Sequence, residues 1–164
     1  TEQKDFPSLI RAFAAIRSHR PARLLILGEG ELRGELEALV RTCGLTADDV
    51  QMPGFVANPF AYLSRCSVFV LSSRWEGLPG VLIEALACGA PVVSTDCPSG
   101  PREILENGRW GRLVPVGDVE ALTGAMGAVL DEKAHPDVTA RAAEFSVDRA
   151  VEEYLRVMLA NHGE

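Results

Sequence analysis

Glu76-Gly-Leu-Pro-Gly80-Val-Leu-Ile-Glu84-Ala-Leu-Ala-Cys88-Gly89-Ala-Pro91-Val-Val-Ser94 is the stretch on which the reading of this chain turns. Between Gly80 and Gly89 every side chain is apolar except that of Glu84. A helix that is apolar on all sides is a buried helix, so the pattern predicts a buried helix carrying one carboxylate. An ionised carboxylate in such a place needs hydrogen-bond donors, a cation or a proton. A second carboxylate, Glu76, stands upstream in the loop Arg74-Trp-Glu-Gly-Leu-Pro79. A glycine-rich loop with one Glu, followed by a helix with another, points to a polyhydroxylated or phosphorylated ligand at the helix N-terminus.

The flanking sequence sets that helix in a repeating order. Val68–Leu71 before it and Pro91–Thr95 after it are short apolar runs, the form of strands buried on both faces of a parallel sheet. Arg23–Leu27, ending in Gly28-Glu-Gly30, has the same form, and Val50–Met52 and Gly111–Val114 are weaker candidates. Helices are predicted from Asp5-Phe6-Pro7 to Ser18, over Glu31–Cys43 with Gly44 ending it, and from Asn58-Pro59 through Arg65, with a turn at Pro53–Val56. More follow from Gly100-Pro101 to Glu106, from an Asp118 cap to Leu130, and over 135–143 and 147–161. Strands alternating with helices predict an α/β fold: a doubly wound, Rossmann-like parallel sheet with helices on both faces. Ligands of such sheets bind at the carboxyl ends of the strands. Gly28–Gly30, the Glu76–Gly80 loop and Thr95–Arg102 all fall there.

Composition sets bounds on function. The chain has 164 residues, 47% hydrophobic and 24% charged, enough for one domain over 1–164 with its own core. A net charge of −7 without a Lys/Arg run argues against nucleic acid as a partner. No apolar run reaches the roughly 20 residues that span a bilayer. The first residues lack signal-peptide character, so a cytoplasmic protein is expected. Cys43, Cys66, Cys88 and Cys97 form no Cys-x-x-Cys pair and read as reduced, mostly buried thiols. Neither they nor His19, His135 and His162 make a metal site, and no metal is expected.

The N–H groups of Gly80, Val81 and Leu82 lack intrahelical partners at a helix start. With the helix dipole they form an anion site suited to phosphate. Glu84 is one turn further along the same face, where a carboxylate can accept two hydrogen bonds from a vicinal diol such as a ribose. Glu76, ahead of the helix, would face a group beyond the phosphates. Diphosphate, ribose and a second sugar together describe a nucleotide-sugar. Other readings stay open here: a buried salt bridge from Glu84 to Arg74 or Arg102, a solvated loop acid at Glu76, a plain strand-to-helix turn at Gly28–Gly30, and a rigid loop at Asp96–Glu103.

With those residues in view, the chain resembles the retaining glycosyltransferases of family 4, whose E-x7-E motif lies in the C-terminal, donor-binding half of a GT-B fold. The run Ala85-Leu-Ala-Cys-Gly89-Ala-Pro-Val-Val93 after the second Glu makes the resemblance specific, and it extends from Lys4 to about Val116. Thr1-Glu-Gln-Lys4-Asp-Phe6 resembles the end of the family's Gly-Arg-Leu…Lys phosphate-binding stretch, whose Arg would stand upstream of Thr1. The resemblance implies roles. Glu84 would hold the donor ribose, and Glu76 would contact the transferred sugar. The Gly80, Val81 and Leu82 amides and the Lys4 ammonium would meet the diphosphate, and Phe55 and Val56 would line the base pocket. Asp96–Glu103 resembles a loop of enzymes that build surface polysaccharides.

The family resemblance further implies a nucleoside diphosphate sugar as donor, no metal, and an acceptor-binding N-terminal domain outside this sequence. Any membrane contact would be made through that domain. A strand preceding Thr1 would complete the sheet. The alternatives are another GT-B enzyme, a non-catalytic nucleotide-binding module, or an interaction domain without ligand. A phosphorylase would need a cofactor lysine, for which the chain offers only Lys4 and Lys133. An epimerase is a further GT-B alternative.

Overall fold

The computed structural model describes residues 1–160. After a 3-10 turn over Glu2–Lys4, the order is α1 (Phe6–Arg17), β1 (Leu24–Leu27), α2 (Arg33–Thr42), β2 (Val50–Gly54), α3 (Phe60–Leu63), β3 (Phe69–Leu71), α4 (Gly80–Ala87), β4 (Val92–Thr95), α5 (Pro101–Ile104), β5 (Arg112–Val114), α6 (Val119–Asp131), α7 (Thr139–Ala143) and α8 (Val147–Ala160). Every ladder is parallel. The expected α/β architecture is present, with one difference. The strands form two ladders, β1–β2 and β3–β4–β5, rather than one continuous sheet.

Helices cover both faces because successive β4 side chains point to opposite sides. Val92 joins a core with Leu82, Ala85 and Leu86 of α4 and Ile104 and Leu105 beyond β4. Val93 faces the other way, among Leu9, Ala12 and Ile16 of α1 and Leu122, Met126 and Val129 of α6. The opposite edge of α1 contributes Ile10 and Phe13 to a third cluster with Ile26, Leu36, Val40 and Val50. One helix thereby packs on both ladders.

Several boundaries shift for physical reasons. β2 runs on through Pro53, expected in a turn; β2 pairs only with β1, and proline is tolerated in an edge strand. The helix expected to reach Glu106 stops at Ile104 because Glu106 and Asn107 have positive φ, 45° and 56°. The segment expected from residue 135 becomes helical only at Thr139, whose N–H and hydroxyl both donate to Asp137. The Asp118 cap is as expected, its carboxylate accepting from the Ala121 N–H at 2.9 Å. Asp5 stands at the N-cap position of α1 with φ 44°, but its carboxylate accepts from the Ser8 hydroxyl rather than a helix amide. Of the last helix, expected over 147–161, residue 161 lies outside the described residues. Among the described residues no helix is long and apolar enough to cross a membrane. All four cysteines are free thiols, Cys97 buried and the others half-buried.

Candidate active site at the start of α4

The residues nearest the expected chemistry converge where β3 gives way to the loop before α4. Glu76 is almost fully withdrawn from solvent, its side chain 8% exposed. Its Oε1 accepts from the Lys4 ammonium at 2.7 Å and from the Ser73 hydroxyl at 2.6 Å. Oε2 has only a long contact, 3.5 Å, from the Gln3 amide. Glu76 is therefore no solvated loop acid, and the structure unites it with Lys4 across 72 residues of chain.

The N-terminal turn is clamped to this loop. The Arg74 N–H donates to the Gln3 carbonyl at 2.8 Å, and the Gln3 side chain donates to the Trp75 carbonyl at 3.0 Å. The Ser72 hydroxyl donates to the Lys4 carbonyl at 2.7 Å. Asp5, 2% exposed, lies within 3.4 Å of the Arg74 guanidinium. Ser72, Ser73, Gln3 and Asp5 are contributors that pattern reading missed. The signal for the serines was their place directly after an apolar strand, where sites of parallel sheets form.

Two expectations about α4 are corrected. Glu84 is exposed, not buried, and makes no ion pair among the described residues. The helix buries Leu82, Ala85 and Leu86, while Gly80, Glu84 and Ala87 share an exposed face. Small residues at 80 and 87 leave that face shallow, so a nearly all-apolar sequence still presents one open side. Arg74 turns to Asp5 and Arg102 to Asp96, so neither cation neutralises Glu84. The second correction concerns the amides. Leu82 N–H donates to the Pro79 carbonyl at 2.9 Å, leaving Gly80 and Val81 as the open donors at the helix start.

The loop Asp96–Gly100 braces the Glu76 loop from the other side. The Glu76 N–H points at the Pro98 carbonyl, 3.4 Å away. Gly100 has φ 86°, and a Cβ there would stand 2.6 Å from the Gly77 carbonyl and collide with the Pro79 ring, so only glycine fits. Cys97, a buried member of this loop, has its thiol pushed up, chiefly by burial, and is a neutral packing group. Further along the strand ends, an open cavity of about 590 Å³ is lined by Asp96, Arg102, Asn107 and Leu113–Val116. Phe55 is 86% exposed and Val56 half-buried, both beyond the end of β2. Among the described residues no group of three or more His, Cys, Asp or Glu side chains could hold a metal ion.

Known proteins resemble this chain in sequence and in fold. The sequence model of the glycosyl transferases group 1 matches residues 1–132. The chain belongs to the group 1 glycosyltransferases. A relative in Campylobacter jejuni, an N-acetylgalactosamine-N,N'-diacetylbacillosaminyl-diphospho-undecaprenol 4-alpha-N-acetylgalactosaminyltransferase, is 38% identical over 129 residues, 79% of this chain and 34% of that protein. The solved lipopolysaccharide outer core galactosyltransferase WaaB superposes with a TM-score of 0.85 at 24% identity, covering 97% of this chain and 46% of WaaB. Anabaena HepE, solved with UDP and glucose, has the same TM-score at 21% identity, covering 98% of this chain and 46% of HepE. The group 1 glycosyltransferase domain seen here thus spans about a third of the Campylobacter relative's length and about half of either solved chain. Its fold is that of GT-B glycosyltransferases.

Proposed function

We propose that this domain binds the nucleoside diphosphate sugar donor of a retaining glycosyltransferase that moves a hexose-type sugar to an acceptor in polysaccharide or glycoconjugate synthesis. The observation that carries the reading is the Lys4–Glu76 pair, drawn from opposite ends of the motif set and enclosed at the start of α4 in a group 1 glycosyltransferase. The amides of Gly80 and Val81, with the helix dipole, bind the diphosphate. Lys4 adds a cation, and together they stabilise the negative charge that builds on the leaving diphosphate as the sugar passes through an oxocarbenium-like state. That cation and the helix dipole do the work a metal would otherwise do, so the reaction is metal-independent. Glu84, exposed one turn in, accepts from the ribose hydroxyls; Glu76 contacts the transferred sugar. Phe55 and Val56 line the base. HepE binds UDP and glucose, which supports a donor of this class.

The acceptor side belongs to polypeptide outside this sequence. Two features support that. β1 and β3 each carry a ladder on one side only, beneath the shared helix α1, and Leu25 of β1 is 42% exposed. On α8, Val147, Val151, Tyr154, Leu155 and Met158 form an uncovered apolar stripe at helical spacing. The nucleophile is the acceptor hydroxyl, which this domain does not supply. Thermal shift of the chain against UDP, GDP, ADP and dTDP tests the reading: one diphosphate raises the melting temperature, and none doing so overturns it.

A further inference from the structure

We propose that Ser73 is a positioning residue for Glu76, holding that carboxylate toward the transferred sugar when Lys4 leaves it for the diphosphate. The inference rests on the nucleotide-sugar reading of the site. Glu76 Oε1 has two donors, the Ser73 hydroxyl at 2.6 Å and the Lys4 ammonium at 2.7 Å. They differ in freedom. The Lys4 side chain is 35% exposed on a flexible stem, and a bound diphosphate competes for its ammonium. Ser73 is 0% exposed at the end of β3, and its own carbonyl accepts from the buried Thr95 hydroxyl on β4 at 2.5 Å. Ser73 cannot follow the phosphate. Once Lys4 turns away, it is the remaining short donor to Glu76.

The geometry also fixes which oxygen works. With Oε1 held inward, Oε2, which has only the 3.5 Å contact from Gln3, is the oxygen with lone pairs free for a sugar hydroxyl. Ser72 does the complementary task for the cation. Its hydroxyl holds the Lys4 carbonyl at 2.7 Å, anchoring the backbone while the ammonium remains free to swing. Packing alone does not call for a hydroxyl at position 73, because a buried hydroxyl must be hydrogen-bonded to offset its lost water, and alanine would fill the site without that cost.

The test compares Ser73→Ala and Ser73→Thr in the full-length protein carrying this domain, with calorimetric nucleoside diphosphate affinity beside steady-state kinetics with the sugar donor. Loss of one hydrogen bond to a charged group lowers kcat by roughly ten- to hundredfold in Ser73→Ala. KM and nucleotide affinity stay at the wild-type values, and Ser73→Thr recovers most of the rate. The proposal is overturned by a Ser73→Ala protein with wild-type kcat, by nucleotide affinity that falls as far as kcat, or by an inactive Ser73→Thr that folds as wild type. A wild-type protein with no nucleotide affinity overturns the donor-site reading itself, and the role of Ser73 with it.

Discussion

Glu84→Gln separates a ligand-binding carboxylate from a structural one. Glu84 is exposed on α4 and has no ion-pair partner among the described residues, Arg74 and Arg102 being engaged by Asp5 and Asp96. Substitutions at exposed positions without such partners change stability by no more than about 0.5 kcal/mol. For a domain of this size that is about 1–2 °C in melting temperature. The loss on binding is larger. A hydrogen bond to a charged acceptor contributes ~1.5–3 kcal/mol, so exchanging the carboxylate for an amide weakens nucleoside diphosphate binding roughly ten- to hundredfold. Calorimetric titration gives the affinity and a thermal melt without ligand gives the stability. A variant that melts several degrees lower yet binds as tightly as wild type would refute the assignment and return Glu84 to a structural role.

Gly100→Ala forces a Cβ against the Gly77 carbonyl and the Pro79 ring at φ 86°. At φ 86° and ψ −66° the backbone is strained for any residue with a Cβ, at a cost of about 1–3 kcal/mol, so the denaturation midpoint falls and nucleotide affinity falls with it; wild-type stability would show that the Asp96–Gly100 loop does not brace the site. Asp49 accepts from the Thr46 hydroxyl and N–H and then from Arg17, which hold its carboxyl down at about 2. Its folded value lies below the unfolded one of about 3.9, so its contribution is present above pH ~4 and lost as pH falls toward 2. Asp49→Asn flattens that part of the acid-denaturation curve, and an unchanged acid limb would contradict it. Transfer by the full-length protein persists in excess chelator, a rate that collapses and returns with added Mg²⁺ being the contrary result.

Much of the architecture was legible because the apolar runs at Leu24–Leu27, Phe69–Leu71 and Val92–Thr95 are short, unbroken and separated by helical segments. Periodicity could not report that the strands divide into two ladders, since pairing depends on contacts between distant segments. The site was legible in its residue types and misread in its burial. An apolar helix implies burial on every side only if the side chains are large. Gly80 and Ala87 flank Glu84 on one face, and their small size leaves that face open although nothing in it except Glu84 is polar. The Leu82 amide is engaged by Pro79 through the local turn, which helical position in the sequence does not report. The ion pair between Lys4 and Glu76 spans 72 residues and is a product of tertiary structure, as are the hydroxyls of Ser72 and Ser73 that hold the two in place.

The central claim is that a nucleoside diphosphate binds at the start of α4, and amide-detected NMR titration of this chain with the diphosphate selected by thermal shift addresses it directly. On binding, the N–H resonances of Gly80 and Val81, the two open donors at that helix end, move most, with Glu76 and Lys4 following and Leu82, already bonded to Pro79, moving less. Shifts confined to the cavity between Asp96, Arg102 and Val116, with Gly80 and Val81 unmoved at saturation, would contradict it.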